Sequence, residues 1–176
     1  MDNRKENNFA YIDGANLHKG VASLGWKLDY KKFRIWLAEK YGIKVAYLFL
    51  GLVPKYKELY QKLQEDGFTL IFKEVIYDCD GKAKGNCDAD LVLKMTRDTY
   101  ENKFEKSVII TSDGDYAGLV SFLKEKQKLM TVLSPRESVK CSILLKRTGV
   151  SIAYLNDQRA LLEYTNKKAP DKDGTL

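Results

Sequence analysis

An α/β domain built on a mainly parallel central sheet of five to six strands is the fold this sequence predicts. Two observations carry it. Short apolar runs rich in strand formers alternate with helix-period segments, and that alternation implies parallel strands joined by right-handed crossovers. The chain also has 176 residues with no internal repeat and no linker-like stretch, which is about one domain's length.

The elements follow in order. Phe9–Asp13 (FAYID) reads as a short buried strand. Gly14–Asn16 continues as a glycine-containing turn. Tyr30–Tyr41 places Phe33, Trp36, Leu37 and Tyr41 near one face, as a helix does. Asp29 suits its N-cap and Gly42 its C-terminal stop. Ile43–Leu50 is the second strand, Lys55–Glu65 a helix stopped before Gly67, and Thr69–Val75 the third strand. A loop, DCDGKAKGN, leads into a helix from Asp88 to about Tyr100. Ser107–Thr111 is the fourth strand, Tyr116–Lys126 a helix, and Leu129–Leu133 the fifth strand. Ser138–Thr148 reads as a helix, Val150–Tyr154 as a short sixth strand, and Asp157 to about Asn166 as a closing helix. We expect residues 1–8 to be an N-terminal extension, 9–166 the domain, and 167–176 a disordered tail.

Composition narrows the class. Hydrophobic residues make up 44% of the chain, which excludes a disordered polar chain. The net charge is +6, from 30 Lys+Arg against 24 Asp+Glu, and suits a polyanionic partner. The longest uncharged apolar run, Val45–Val53, has nine residues, well short of the roughly 20 that a membrane helix needs. The start, MDNRKENN, carries no apolar stretch behind its charges, so no signal peptide is read. Cys79, Cys87 and Cys141 are odd in number and loosely spaced, which argues against a disulfide framework and against a zinc site. A cytoplasmic protein without a membrane partner is expected, and a homo-oligomer is compatible with the sequence.

The acids carry the chemistry. Asp13 ends the first strand, Asp113 and Asp115 follow the fourth, and Asp88 and Asp90 open the helix before it. Ligands of such sheets bind beyond the carboxyl ends of the strands, where the winding reverses. If the first and fourth strands are neighbours, Asp13 faces Asp113 at that point. Carboxylates gathered without bases repel one another, and a hard divalent ion such as Mg²⁺ or Mn²⁺ relieves the repulsion. Any one of these acids also makes sense as a turn or cap residue, Asp115 and Asp88 especially. Asp88 and Asp90 are two apart and do not share a helix face, so Asp90 is a candidate partner for Lys94. Asn16, three residues after Asp13, can hydrogen-bond a carboxylate or a phosphate, or simply start a helix or turn. Ser112 can donate to a phosphate or shape its own turn.

These segments resemble the NYN domain family of the PIN-like nuclease superfamily, and most of all its bacterial LabA-like branch. The resemblance rests on YIDGANL (Tyr11–Leu17), LDYKKF (Leu28–Phe33), KGNCDADLVLKM (Lys84–Met95) and TSDGDYAGLV (Thr111–Val120), in this order and spacing. It spans about Phe9 to Tyr154. It implies a PIN-like α/β/α sandwich and RNA cleavage dependent on Mg²⁺ or Mn²⁺. By position, Asp13, Asp88 and Asp113 match the family's metal-binding acids, and Asn16 and Asp115 match motif residues. Ser112 stands where the family often has Gly, and Asp90 is an additional acid.

The implied chemistry is hydrolysis of RNA phosphodiesters, with single-stranded RNA as the expected partner. Lys82, Lys84, Arg136 and Lys140 are candidates for holding its backbone, and Lys146 and Arg147 lie further along. Tyr116 is read either as a base-stacking platform or as a buried side chain. The single histidine, His18, excludes a histidine-pair ribonuclease. A dehalogenase-type phosphatase needs a second Asp soon after the first strand, where this chain has Asp13-Gly14-Ala15-Asn16, and no GxxxxGK loop is present. The rival reading is a non-catalytic RNA-binding or regulatory module that keeps the fold.

Overall fold

The computed structural model describes residues 6–74, 76–77, 83–84 and 87–165. Six parallel strands form one sheet in the order β3-β2-β1-β6-β7-β8. Here β1 is Asn8–Asp13, β2 Ile43–Leu52, β3 Thr69–Glu74, β6 Ser107–Ile110, β7 Leu129–Ser134 and β8 Ile152–Tyr154. The two-residue strands β4 (Ile76–Tyr77) and β5 (Ala83–Lys84) pair antiparallel with each other, within a stretch the sequence reads as loop. The helices are α1 (Gly14–Ala22), α2 (Tyr30–Tyr41), α3 (Lys57–Glu65), α4 (Asp88–Tyr100), α5 (Ala117–Glu125), α6 (Ile143–Arg147) and α7 (Arg159–Leu162).

The winding reverses between β1 and β6. From β1 the chain moves out through β2 to β3, and from β6 it moves the other way through β7 to β8. The sheet therefore has two cores. Ala10, Ile12, Leu48, Val108 and Ile110 pack with Leu17, Phe33, Leu37, Leu63 and Leu162 of α1, α2, α3 and α7. Tyr11, Phe49, Ile109 and Val132 pack with Leu91, Met95, Tyr116, Val120 and Leu145 beneath α4, α5 and α6. Alternation along β1 sends Ala10 and Ile12 one way and Phe9 and Tyr11 the other, as a strand buried on both faces requires.

Several boundaries follow the expected chemistry. Asp29 caps α2 by accepting from Lys32 N at 3.1 Å, and Gly42 ends it with a left-handed φ of 62°. Helix α4 runs Asp88–Tyr100 as expected. Strand β1 starts one residue earlier than expected, and Asn8 is buried with its side-chain amide donating to Tyr41 O at 2.7 Å.

The departures have local causes. Helix α1 replaces the expected turn, because the Asp13 carboxylate accepts from Asn16 N (3.0 Å) and starts the helix at Gly14. The expected Ser138–Thr148 helix is broken. A 3₁₀ turn covers Ser138–Lys140, Cys141 is extended, and Ser142 then caps the short α6 by accepting from Leu144 N. The closing helix is also shorter. A 3₁₀ turn at Leu155–Gln158 leads into α7, and Glu163 then turns extended to bridge Leu28. The expected tail at 167–176 lies outside the described residues.

Candidate active site

Three elements deliver carboxylates to the reversal point. Asp13 ends β1 and lies opposite Phe49 of β2. On the other side Ile12 pairs with Ile110, so the segment Thr111–Asp113 leaves β6 beside the end of β1. Helix α4 begins at Asp88, in its first position. The condition set by the sequence is met: the strands carrying Asp13 and Asp113 are neighbours.

Both strand-end acids are followed by a glycine that permits close approach. A Cβ on Gly14 would stand 2.6 Å from Phe49 O of β2. A Cβ on Gly114 would collide with Ser142 Oγ and crowd Leu144. Each Asp-Gly pair thus lets the chain turn sharply against the neighbouring element while presenting its acid at the sheet edge.

The two strand ends are clamped together. Asn16 Oδ1 accepts from both Ser112 N (2.9 Å) and Ser112 Oγ (2.8 Å). For Asn16 and Ser112 the sequence offers a phosphate contact or a turn role; here Asn16 Oδ1 and Ser112 bond each other and hold the ends of β1 and β6 together.

Tyr116 links the acids. The residue is 1% exposed, and its hydroxyl donates to Asp88 Oδ1 at 2.5 Å while lying 3.4 Å from Asp13 Oδ2. A phenol has one proton to donate, so Asp88 receives it. The sequence left Tyr116 between stacking and burial; it is buried, with its polar tip aimed into the acid cluster. Burial and the two carboxylates push its pKa above the usual tyrosine range.

Asp13 carries the strain of the arrangement. Its pKa is raised, chiefly by burial, and Asp88 and Asp113 both push it further up. The Asn16 amide and the Tyr116 hydroxyl act the other way. The neighbouring Cys87 thiol is pushed up to about 11 by burial and by Asp90, Asp13 and Asp88.

The remaining acids separate from this group. Asp113, not Asp115, is the cap: it accepts from Asp115 N at 3.1 Å and opens the 3₁₀ turn Gly114–Tyr116, and Asp115 itself is exposed. The cap of α4 is Cys87 rather than Asp88. Asp90 turns toward β3, where Lys73 Nζ lies 2.9 Å from its Oδ2. Its expected partner Lys94 instead reaches Asp98, a turn further along α4 (2.7 Å to Oδ1).

Among the cations, Arg136 follows β7 at the same sheet edge and is half-buried, its Nε without a partner among the described residues. Lys140 is exposed on the following 3₁₀ turn. Lys84 is described only as part of β5, and Lys82 lies outside the described residues. Lys146 Nζ donates to Ser138 O and is tied to its own loop.

A match to the NYN domain family covers residues 9–155. The chain belongs to the NYN domain family. This NYN domain is 25% identical over 170 residues to the low amplitude and bright protein LabA of Synechococcus elongatus, an alignment covering 91% of this chain and 89% of that protein. Its fold is similar to a crystal structure of a protein of unknown function from Vibrio parahaemolyticus. That likeness has a TM-score of 0.72 at 21% identity and covers 92% of this chain and 99% of the other. The PIN-like α/β architecture is thus borne out, with every strand of the main sheet parallel. Among the described residues, no helix is long and apolar enough to cross a membrane.

The family has a nuclease-like fold, and its PIN-like relatives typically use divalent metals. In kind, the donors at this edge fit such an ion: they are carboxylate oxygens on three elements, and Asp13 is half-buried beside two like charges. In the arrangement described, no three His, Cys, Asp or Glu side chains are gathered closely enough to enclose an ion among the described residues. Asp88 is held by Tyr116 and Asp113 by its own turn.

Proposed function

We propose that this NYN domain is a divalent-metal-dependent ribonuclease, hydrolysing phosphodiester bonds of single-stranded RNA in the cytoplasm. The observation that supports this most is the half-buried Asp13 at the winding reversal, its pKa raised by desolvation and further by Asp88 and Asp113. Asp13, Asp88 and Asp113 would hold Mg²⁺ or Mn²⁺, with Asp115 at the margin. Such an ion activates a water and stabilises the leaving oxygen.

The chain's own residues do the rest. The Asn16–Ser112 clamp keeps the ends of β1 and β6 in register. Tyr116 fixes the orientation of Asp88. Arg136 and Lys140, with Lys84, supply cations for the phosphates on either side of the scissile bond, so RNA affinity falls as salt rises.

One observation favours the second reading, a non-catalytic RNA-binding or regulatory module: among the described residues the acids are not gathered into a closed ion cage. Incubating the purified protein with end-labelled single-stranded RNA in Mn²⁺, Mg²⁺ or EDTA separates the two. The nuclease reading expects cleavage with either metal, none in EDTA, and loss of most activity in Asp113→Asn, which keeps the shape but removes the charge. Cleavage by Asp113→Asn as fast as by wild type, or RNA bound but never cut, gives the regulatory reading.

A further inference from the structure

Strand β3 brings to the acid edge a cation that no local motif marks. Lys73 pairs with Gly51 of β2, and Asp13 lies opposite Phe49, two residues earlier on the same strand. Lys73 therefore stands about 7 Å further toward the carboxyl ends of the strands. Residues two apart on a strand share a face. Ile71 packs on the core beneath α4, so Lys73 faces that side. Asp13 follows Tyr11 of the same core by two residues and meets Tyr116 on that side. The cation and the acids thus share one face of the sheet as well as one edge.

The ammonium is both anchored and accessible. Lys73 Nζ lies 2.9 Å from Asp90 Oδ2 in the first turn of α4, and the lysine side chain stays 44% exposed. An ion pair this exposed contributes little to stability, so the ammonium can turn to a phosphate at small cost. The Cys87 thiol feels Lys73 as well as Asp13 and Asp88, which puts all three at the start of α4. Gly51, the β2 residue beside Lys73, has no side chain to stand between Lys73 and the acids. Lys55 and Lys57, which follow β2, lead instead into α3 on the opposite face. Beyond the acids, Arg136 follows β7. Strands β3 and β7 each lie two places from β1, about 10 Å at the usual strand spacing.

We propose that Lys73 holds a backbone phosphate of single-stranded RNA on the β3 side of the acids, so that the strand crosses the carboxyl edge from β3 to β7 with Arg136 at the other end. The inference rests on the reading of this edge as an RNA site and gives the strand its path. The spacing between β3 and β1 assigns Lys73 to a phosphate beside the one at Asp13, not to that one. A lysine ammonium is a point charge, so it grips the backbone without reading sequence.

Fluorescence anisotropy of labelled single-stranded RNA on the full chain, titrated in Ca²⁺ over a range of salt concentrations, tests it. Lys73→Gln should lower the slope of log affinity against log salt by about 0.7, the share of one phosphate contact on a single strand. It should weaken binding about threefold or more at low salt, equally for oligouridine and for mixed sequence. Lys73→Arg should keep both affinity and slope. Asp90→Asn should bind at least as tightly as wild type, whereas a pair that serves the fold alone makes Asp90→Asn and Lys73→Gln equivalent. Lys44→Gln, exposed at the amino end of β2, should leave the slope unchanged. Cleavage by wild type is followed separately in Mn²⁺. RNA bound with an unchanged slope in Lys73→Gln overturns this inference alone. A lowered slope without any cleavage upholds Lys73 and refutes the nuclease reading. RNA neither bound nor cut overturns both.

Discussion

Strand β1 and helix α4 meet twice, and each meeting joins a tyrosine to an aspartate of α4. Near the middle of β1, Tyr11 Oη donates to Asp98 Oδ2 at 2.8 Å. There Lys94 Nζ also reaches both oxygens of Asp98, and Lys103 Nζ lies 3.6 Å from Oδ1. Asp98 is fully buried, and its charge is answered within the chain. At the end of β1, Tyr116 Oη reaches Asp88 and Asp13, and the Asp88 and Asp113 carboxylates both act on Asp13. A buried acid neutralised by lysine is a completed structural unit. A half-buried acid beside other acids is stabilised by groups the protein binds or protons it takes up. The same two elements thus hold a finished ion pair and an unfinished one, 2 residues apart on β1 and 10 apart on α4.

The largest effect should come from breaking the finished pair. Asp98→Asn leaves Lys94 charged in a largely buried place, at a cost of about 3 kcal/mol. For a domain of this size that lowers Tm on the order of 10 °C. Calorimetry in Mn²⁺ and in EDTA should give the same drop, since this pair answers no ion.

Tyr116→Phe should cost less, about 2 kcal/mol, the worth of a hydrogen bond to a charged acceptor. Because the hydroxyl also restrains two acids, Tm should fall in EDTA and recover more on adding Mn²⁺ than it does in wild type. An equal fall with and without Mn²⁺ would show that Tyr116 serves packing alone.

Asp13→Asn should move stability the opposite way. The folded state raises the Asp13 pKa, so it favours the protonated form. That stabilisation is fully present below the ordinary carboxylate pKa of about 4 and is lost as pH rises through the raised value. In EDTA, wild-type Tm should therefore decline as pH climbs from about 4 toward neutrality. Asp13→Asn should flatten this decline and melt a few degrees higher at neutral pH, since Asn caps α1 nearly as well. A steeper decline in the variant would reverse the sign assigned to Asp13.

Asp115→Asn should have the smallest effect, within about 0.5 kcal/mol of wild type, as expected of an exposed side chain. Asp113→Asn keeps an acceptor for Asp115 N, so its Tm should also hold while its metal response is lost.

Much of the frame was legible because its signals are local. The apolar runs at Phe9–Asp13 and Ser107–Ile110, the Asp29 cap and the Gly42 stop need only neighbours in sequence. The neighbourhood of β1 and β6 followed from topology and placed Asp13 beside the Asp113 turn. What escaped depends on distant partners. Asp113 outcompeted Asp115 as a cap because the chain turns directly after β6, before α5 begins. Lys73 took Asp90 and Asp98 took Lys94 because α4 is rotated by the packing of Leu91 and Met95 on the sheet. Helix α1 was hidden because its first residue is a glycine, a weak helix former, which the close approach to Phe49 O requires. The Tyr116 hydroxyl among the acids carries no sequence signal at all, since its partners are 28 and 103 residues away.

The unfinished character of the acid edge is tested most directly by anomalous diffraction from crystals soaked in Mn²⁺. The account predicts one or more manganese peaks within coordination distance of carboxylate oxygens of Asp13, Asp88 and Asp113, and none at Asp98. Saturating Mn²⁺ that leaves this edge without a peak, with Tyr116 still bridging Asp88 and Asp13, would contradict it.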